Sequence, residues 1–157
     1  MLECLQQKGH LYALDVDPIE MKKTQARLEG MGYGPDILTV KQMNFADIDL
    51  LVQETGKFDF VLADLGVSSM QIDNPERGFT YKQEGPLDLR LNPEKGISAA
   101  ERLKDISQAE LEGMLMENSD EPYAREISMA ILSEQRKGHV IDTTTTVSYT
   151  HLTLPTT

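Results

Sequence analysis

The sequence predicts an α/β chain: part of a doubly wound parallel sheet, followed by a separate helical subdomain. Three observations carry this. Short apolar runs alternate with helical patterns through residue 63 in the order strand, helix, strand, helix, strand, which implies parallel strands joined by right-handed crossovers. From residue 93 the patterning becomes wholly helical. Between the two lies a polar loop, Asp64 to Asn92, reading DLGVSSMQIDNPERGFTYKQEGPLDLRLN, far longer than the roughly 4–6 residues of an ordinary connection.

Leu11 to Val16 (LYALDV) reads as a short buried strand. Asp17 and Pro18 start a helix: proline suits the first helical position, and Asp17 with Glu20 makes a capping-box pattern. Gly30 and Gly32 end it. Ile37 to Gln42 (ILTVKQ) alternates and is β-branched, so it reads as the second strand. Asp47 is placed to cap a short helix through Leu50, Leu51 and Val52, which stops before Gly56. Phe58 to Ala63 (FDFVLA) reads as a third, buried strand. In the second half, Ser98 with Glu101 and Ser107 with Glu110 are two further capping-box patterns. Leu111, Met114 and Leu115 form an amphipathic stripe. A longer helix after Pro122 puts Tyr123, Ile127, Ala130 and Ile131 on one face, with Arg136 and Lys137 in its last turn and Gly138 to terminate it.

The 157 residues are 39% hydrophobic and 26% charged, the balance of a globular chain with a core. No apolar run approaches the roughly 20 residues of a membrane helix. The start, MLECLQQKGH, lacks the basic and apolar regions of a signal peptide. The single Cys4 excludes an internal disulfide and a cysteine metal cluster, which fits a cytoplasmic protein. Net charge is −11, against non-specific binding of naked nucleic acid. Only residues 77–104 are basic, with six cationic and four acidic groups. No G-x-S-x-G elbow or P-loop occurs, and His10, His139 and His151 have no triad or metal-ligand spacing.

The chain reaches its first strand without the glycine-rich turn and preceding strand that open a nucleotide-binding sheet. Its end, Thr143 to Thr157, is threonine-rich with little apolar pattern. The expected divisions are 1–92 for the partial sheet domain, 93–146 for part of the helical subdomain, and 147–157 for a tail foreign to the fold.

An acid at a strand tip can accept hydrogen bonds from ribose hydroxyls, and Asp15 has that position; a helix-start acid is the plainer alternative. Phe45, just past the second strand, can lie against a planar ring, although core packing is the commoner fate of a lone Phe. Asp64, at the third strand's tip and followed by Gly66, suits either a ligand amine or a cap on the next turn. Arg77, Lys82 and Arg90 suit phosphates or solvated loop positions equally.

DLGVSSMQIDNPERGF followed by GPLDLRLN is similar to the signature of the MraW/RsmH family. Its members are S-adenosylmethionine-dependent methyltransferases acting on a cytidine exocyclic N4 amine in 16S (small-subunit) ribosomal RNA. The likeness runs from about Gly9 to Thr146: ALDVDP resembles the acid-bearing second strand, and SAAERL with DEPYAREISMAILSEQRK resembles an inserted helical domain. The resemblance implies a partial Rossmann-like methyltransferase sheet with S-adenosylmethionine as cofactor. It implies Asp15 on the cofactor's ribose, Phe45 against its adenine, and Asp64 and Gln71 completing the contacts, with no catalytic base assigned and no metal. It further implies the small ribosomal subunit as partner and no membrane. The family's Gly-Gly-His loop after strand one is absent, so the 157 residues alone are expected to be inactive. Glu84 stands where the family usually has Asp, and Pro122 interrupts a stretch normally free of proline. The competing readings are an NAD-type Rossmann enzyme, which Asp15 alone permits, and a non-catalytic ribosome-binding module.

Overall fold

The computed structural model describes residues 1–5, 8–143 and 146; the expected foreign tail, 147–157, lies outside them. The chain forms two compact units, Met1–Gly66 and Val67–Thr157. The first is α/β and the second helical, so the α/β expectation holds.

In the first unit, β1 (Leu11–Asp15) and β2 (Leu38–Gln42) pair in parallel, with Leu11 opposite Leu38 and Asp15 opposite Gln42. The crossover is α1 (Pro18–Gly30), which packs on β2. Asp17 caps α1 as expected: its Oδ1 accepts from the amides of Ile19 and Glu20 at 2.9 and 3.2 Å, and Pro18 opens the first turn. The reciprocal half of the capping box does not form. The Asp17 amide donates to Asp15 Oδ1 at 2.9 Å, and the Glu20 carboxylate pairs with Lys23 instead. α2 (Ile48–Thr55) receives no side-chain cap from Asp47; Asn44 caps the short 3-10 turn Phe45–Asp47 that leads into it.

Phe58 to Ala63 departs from expectation. It joins no ladder, and Phe60, Val61, Leu62 and Leu65 are 61–70% exposed. Phe58 alone is anchored, its ring centroid 5.7 Å from that of Tyr12 on β1. The reason is topological. In a doubly wound sheet ordered 3-2-1-4, the strand after the second crossover lies beside strand one and beside neither of its two predecessors. The neighbour it requires is not among the described residues. A strand's burial comes from its neighbours, so a correct apolar pattern here remains in water.

The second unit is organised by α4 (Ala99–Asp105), α5 (Gln108–Ser119) and α6 (Ala124–Arg136), preceded by the short α3 (Ser69–Ile72). Ser98 and Glu101 form the complete capping box on α4. Ser107 caps α5 through the Glu110 amide, whereas the Glu110 carboxylate turns to Arg102. α5 packs on α6. The core comprises Leu87, Leu103, Ile106, Leu111, Ile127, Ile131, Leu132 and Ile141, with Leu115 and Tyr123 against it. Leu87 belongs to the signature loop, and the amides of Ala99 and Ala100 donate to the carbonyls of Asp88 and Leu87. The loop through Asn92 thus packs with the helices that follow it.

Replacing the buried Ile131 with Ala is expected to cost about 2–5 kcal/mol in urea denaturation, while the exposed Met129→Ala stays within about 0.5 kcal/mol. Equal effects at the two positions would contradict the placement of this core.

Candidate functional site

Asp15 ends β1 at the carboxyl edge of the sheet and is exposed. Its Oδ1 accepts from the Asp17 amide, which fixes the carboxylate at the entry to α1. The Met43 amide donates to the Asp15 carbonyl at 3.0 Å, so the chain leaves β2 alongside Asp15. Two residues further, Phe45 opens the 3-10 turn with its ring 60% exposed. The structure therefore brings Asp15 and Phe45 to one edge of the parallel pair. An anchored acceptor and an open aromatic surface at that edge are able to meet a sugar hydroxyl and a planar ring. Asp64 is also in the first unit and exposed, on the unladdered segment.

Gln71 lies in the second unit and is buried. Its Oε1 accepts from the Ser68 amide at 2.8 Å, and its own amide donates to Ser68 Oγ at 3.3 Å, a complete capping box on α3. The Ser-x-x-Gln spacing is the sequence signal for this turn.

The loop that follows is closed on itself. Arg77 is 6% exposed, and its Nη2 donates to the carbonyls of Arg90 (3.1 Å) and Leu91 (2.9 Å). The Leu89 amide donates to the Arg77 carbonyl at 3.1 Å. Arg90 grips Asp88 through Nε (2.8 Å) and Nη2 (2.6 Å), and its Nη1 donates to the Gly96 carbonyl at 3.1 Å. Two glycines permit this closeness. A Cβ on Gly78 (φ +77°) would sit 2.5 Å from the Pro86 carbonyl oxygen, and one on Gly85 would sit 2.3 Å from that of Pro75. Thr143 and Asp142 close the far side, Thr143 Oγ1 donating to the Gln83 carbonyl and Asp142 bridging to Pro86. Of the three cations that suited phosphates, Arg77 is buried, Arg90 is half-buried and engaged by Asp88 and the Gly96 carbonyl, and Lys82 is exposed.

The Arg90 side-chain hydrogen bond holds the Asp88 carboxyl below the ordinary carboxylate range; partial burial opposes it, while the Arg90 amide and the charges of Arg90 and Arg77 reinforce it. Glu101 is lowered by the Ser98 amide and hydroxyl, and Glu134 by Lys137 and His139. A hollow lined by Lys104, Ile106, Leu132 and Arg136 contains none of the predicted site residues. Among the described residues no helix is long and apolar enough to cross a membrane, and no three His, Cys, Asp or Glu side chains gather as metal ligands.

Two parallel strands, their crossover helix and the acid at the strand tip define a partial Rossmann-like α/β fold. The chain belongs to the MraW methylase family, whose sequence profile matches residues 1–156. It is 71% identical over 145 residues to "Ribosomal RNA small subunit methyltransferase H 1" of Lachnoclostridium phytofermentans, covering 92% of this chain and 40% of that protein. It is 68% identical to "Ribosomal RNA small subunit methyltransferase H 2" of Alkaliphilus metalliredigens and 65% identical to "Ribosomal RNA small subunit methyltransferase H 1" of Agathobacter rectalis, each over 92% of this chain and 42% of the relative. The chain thus spans about two-fifths of the length of these curated relatives.

Arg77→Met is expected to destabilise the second unit by about 2–4 kcal/mol in urea denaturation, because two enclosed carbonyls lose a charged donor. Lys82→Ala, on the exposed side of the loop, is expected to change stability by under about 0.5 kcal/mol. Similar values for the two would refute the closed loop. Asp88, with its folded value depressed, contributes stability above the ordinary carboxylate range that is lost as pH falls through that folded value. Asp88→Asn should therefore flatten the stability–pH curve below about pH 4, and an unchanged acid limb would contradict the Asp88–Arg90 pairing.

Proposed function

We propose that this chain is part of an S-adenosylmethionine-dependent methyltransferase that modifies the exocyclic N4 amine of a cytidine in 16S ribosomal RNA. The observation that carries the reading is the 71% identity to a protein named as a small-subunit ribosomal RNA methyltransferase. The signature loop from Asp64 to Asn92 supports the cytidine-amine chemistry through its likeness to the family motif.

In this reading Asp15 accepts from the ribose hydroxyls and Phe45 covers one face of the adenine. Asp64 and Gln71 complete the cofactor contacts from the signature loop. Gln71 contributes first by shaping the α3 turn, since its Oε1 already holds the Ser68 amide. S-adenosylmethionine supplies a sulfonium methyl open to direct displacement by an amine nitrogen. The protein's task is then to align the amine with that methyl and keep water out. The cytosine must leave its stack to reach such a pocket. In this reading the Asp64 carboxylate or the Leu65 carbonyl accepts a hydrogen bond from the amine and helps localise its lone pair, with no base assigned; the released proton passes to solvent. The acidic surface suits a folded ribonucleoprotein, the small subunit in the cytoplasm, better than a bare oligonucleotide.

The test is binding and transfer by the full-length protein. S-adenosylhomocysteine is expected to bind and NAD not to compete, which separates this reading from a dinucleotide enzyme. Asp15→Ala should weaken S-adenosylhomocysteine by about 10–100-fold, the value of a hydrogen-bonding charged acceptor. Residues 1–157 alone should show no methyl transfer, since Asp64 sits on a segment left in water. NAD binding in place of S-adenosylhomocysteine would overturn the proposal.

A further inference from the structure

Thr143 opens the threonine-rich end of the chain, yet it is only 4% exposed. Past α6 the chain turns at Gly138 (φ +82°) and comes back against the signature loop. Ile141 enters the same core as Leu87, and Asp142 forms an antiparallel bridge with Pro86. The Thr143 amide then donates to the Gly85 carbonyl at 3.3 Å. Its Oγ1 donates to the Gln83 carbonyl at 3.2 Å and lies 3.5 Å from that of Gly85. One buried threonine thus holds the backbone on both sides of Glu84, from 60 and 58 residues away in sequence.

A connection between two elements needs none of this. Leu87 anchors the loop to the helical core, and the Ala99 and Ala100 amides fix its exit. The Thr143 bonds act on a limb whose Tyr81, Lys82, Gln83 and Glu84 are all exposed and contribute nothing to that core. The same limb is restrained a second time at Gly85, where a Cβ would sit 2.3 Å from the Pro75 carbonyl oxygen. An exposed stretch pinned by a buried hydroxyl and by close backbone packing is preorganised. Such restraint fixes where its outward side chains stand, which is what a working loop on a rigid support requires.

We propose that Thr143 is a positioning residue for methyl transfer, through which the helical unit sets the signature-loop limb Gln83–Pro86 for the reaction. This rests on the methyltransferase reading above. Thr143→Val in the full-length protein keeps the shape and the amide and removes only the hydroxyl. Gln83 is exposed, so its carbonyl turns to water, and Tm is expected to stay within about 3 °C of wild type. The kcat on the small subunit is expected to fall about tenfold or more, the effect of a misaligned loop, with S-adenosylhomocysteine affinity unchanged. Thr143→Ser restores the donor and should recover most of that loss. Thr146→Val removes a hydroxyl that bonds the Asp142 carbonyl rather than the loop, and should leave kcat at the wild-type level. Wild-type kcat in Thr143→Val would overturn the proposal, as would equal losses in Thr143→Val and Thr146→Val. So would a larger drop in Tm or a failure to fold, which would make the hydroxyl a packing group, or weakened S-adenosylhomocysteine binding, which would place its effect at the cofactor. If the wild-type protein itself leaves small-subunit RNA unmethylated, the functional reading fails and takes this inference with it.

Discussion

The Arg77 guanidinium lies inside the 75–92 loop and donates to two backbone carbonyls thirteen and fourteen residues away. Burying that charge costs several kcal/mol, and the two carbonyl acceptors and the nearby Asp88 carboxylate, which Arg77 helps to lower, offset part of it. Without the lock the loop would be a long flexible connection between a sheet and a helical bundle. With it, Leu87 is delivered to the core, Asp88 and Leu87 offer carbonyls to the start of α4, and Leu89 is held out to solvent. The start of the helical unit therefore depends on the same few hydrogen bonds that close the loop.

The first unit illustrates a different constraint. A parallel pair needs a crossover, and α1 supplies it, which carries Asp15 and Phe45 to one edge of the sheet. The segment after α2 has the composition of a central strand but no neighbour among the described residues. Its exposed Phe60, Val61, Leu62 and Leu65 each forgo about 1.5–3 kcal/mol of burial. Asp15 and Phe45 stand together at one edge of the parallel pair, while Asp64 lies beside the unladdered segment.

Local chemistry was legible in the sequence wherever a signal and its partner lie within one turn. Asp17 with Pro18, and Ser98 with Glu101, act as the spacing indicates. A sequence signal is overridden where a second partner competes: Glu20 loses its place in a capping box because Asp15 holds the Asp17 amide. The signal fails again at Phe58–Ala63, whose apolar pattern is correct for a strand while strand formation requires a neighbour. In the candidate site, Asp15 and Phe45 could be placed from strand ends alone. The inward turn of Arg77 and Arg90 could not, because no sequence pattern states where backbone carbonyls converge.

Nucleoside mass spectrometry of small-subunit RNA tests the proposed methyl transfer to a cytidine amine most directly. RNA from cells lacking the full-length gene is expected to lose an N4-methylated cytidine that reappears when the gene is restored. It should fail to reappear with an Asp15→Ala copy at limiting S-adenosylmethionine. A methylation pattern unchanged by the deletion, or a lost methyl group that maps to a ring carbon or a ribose, would contradict the account.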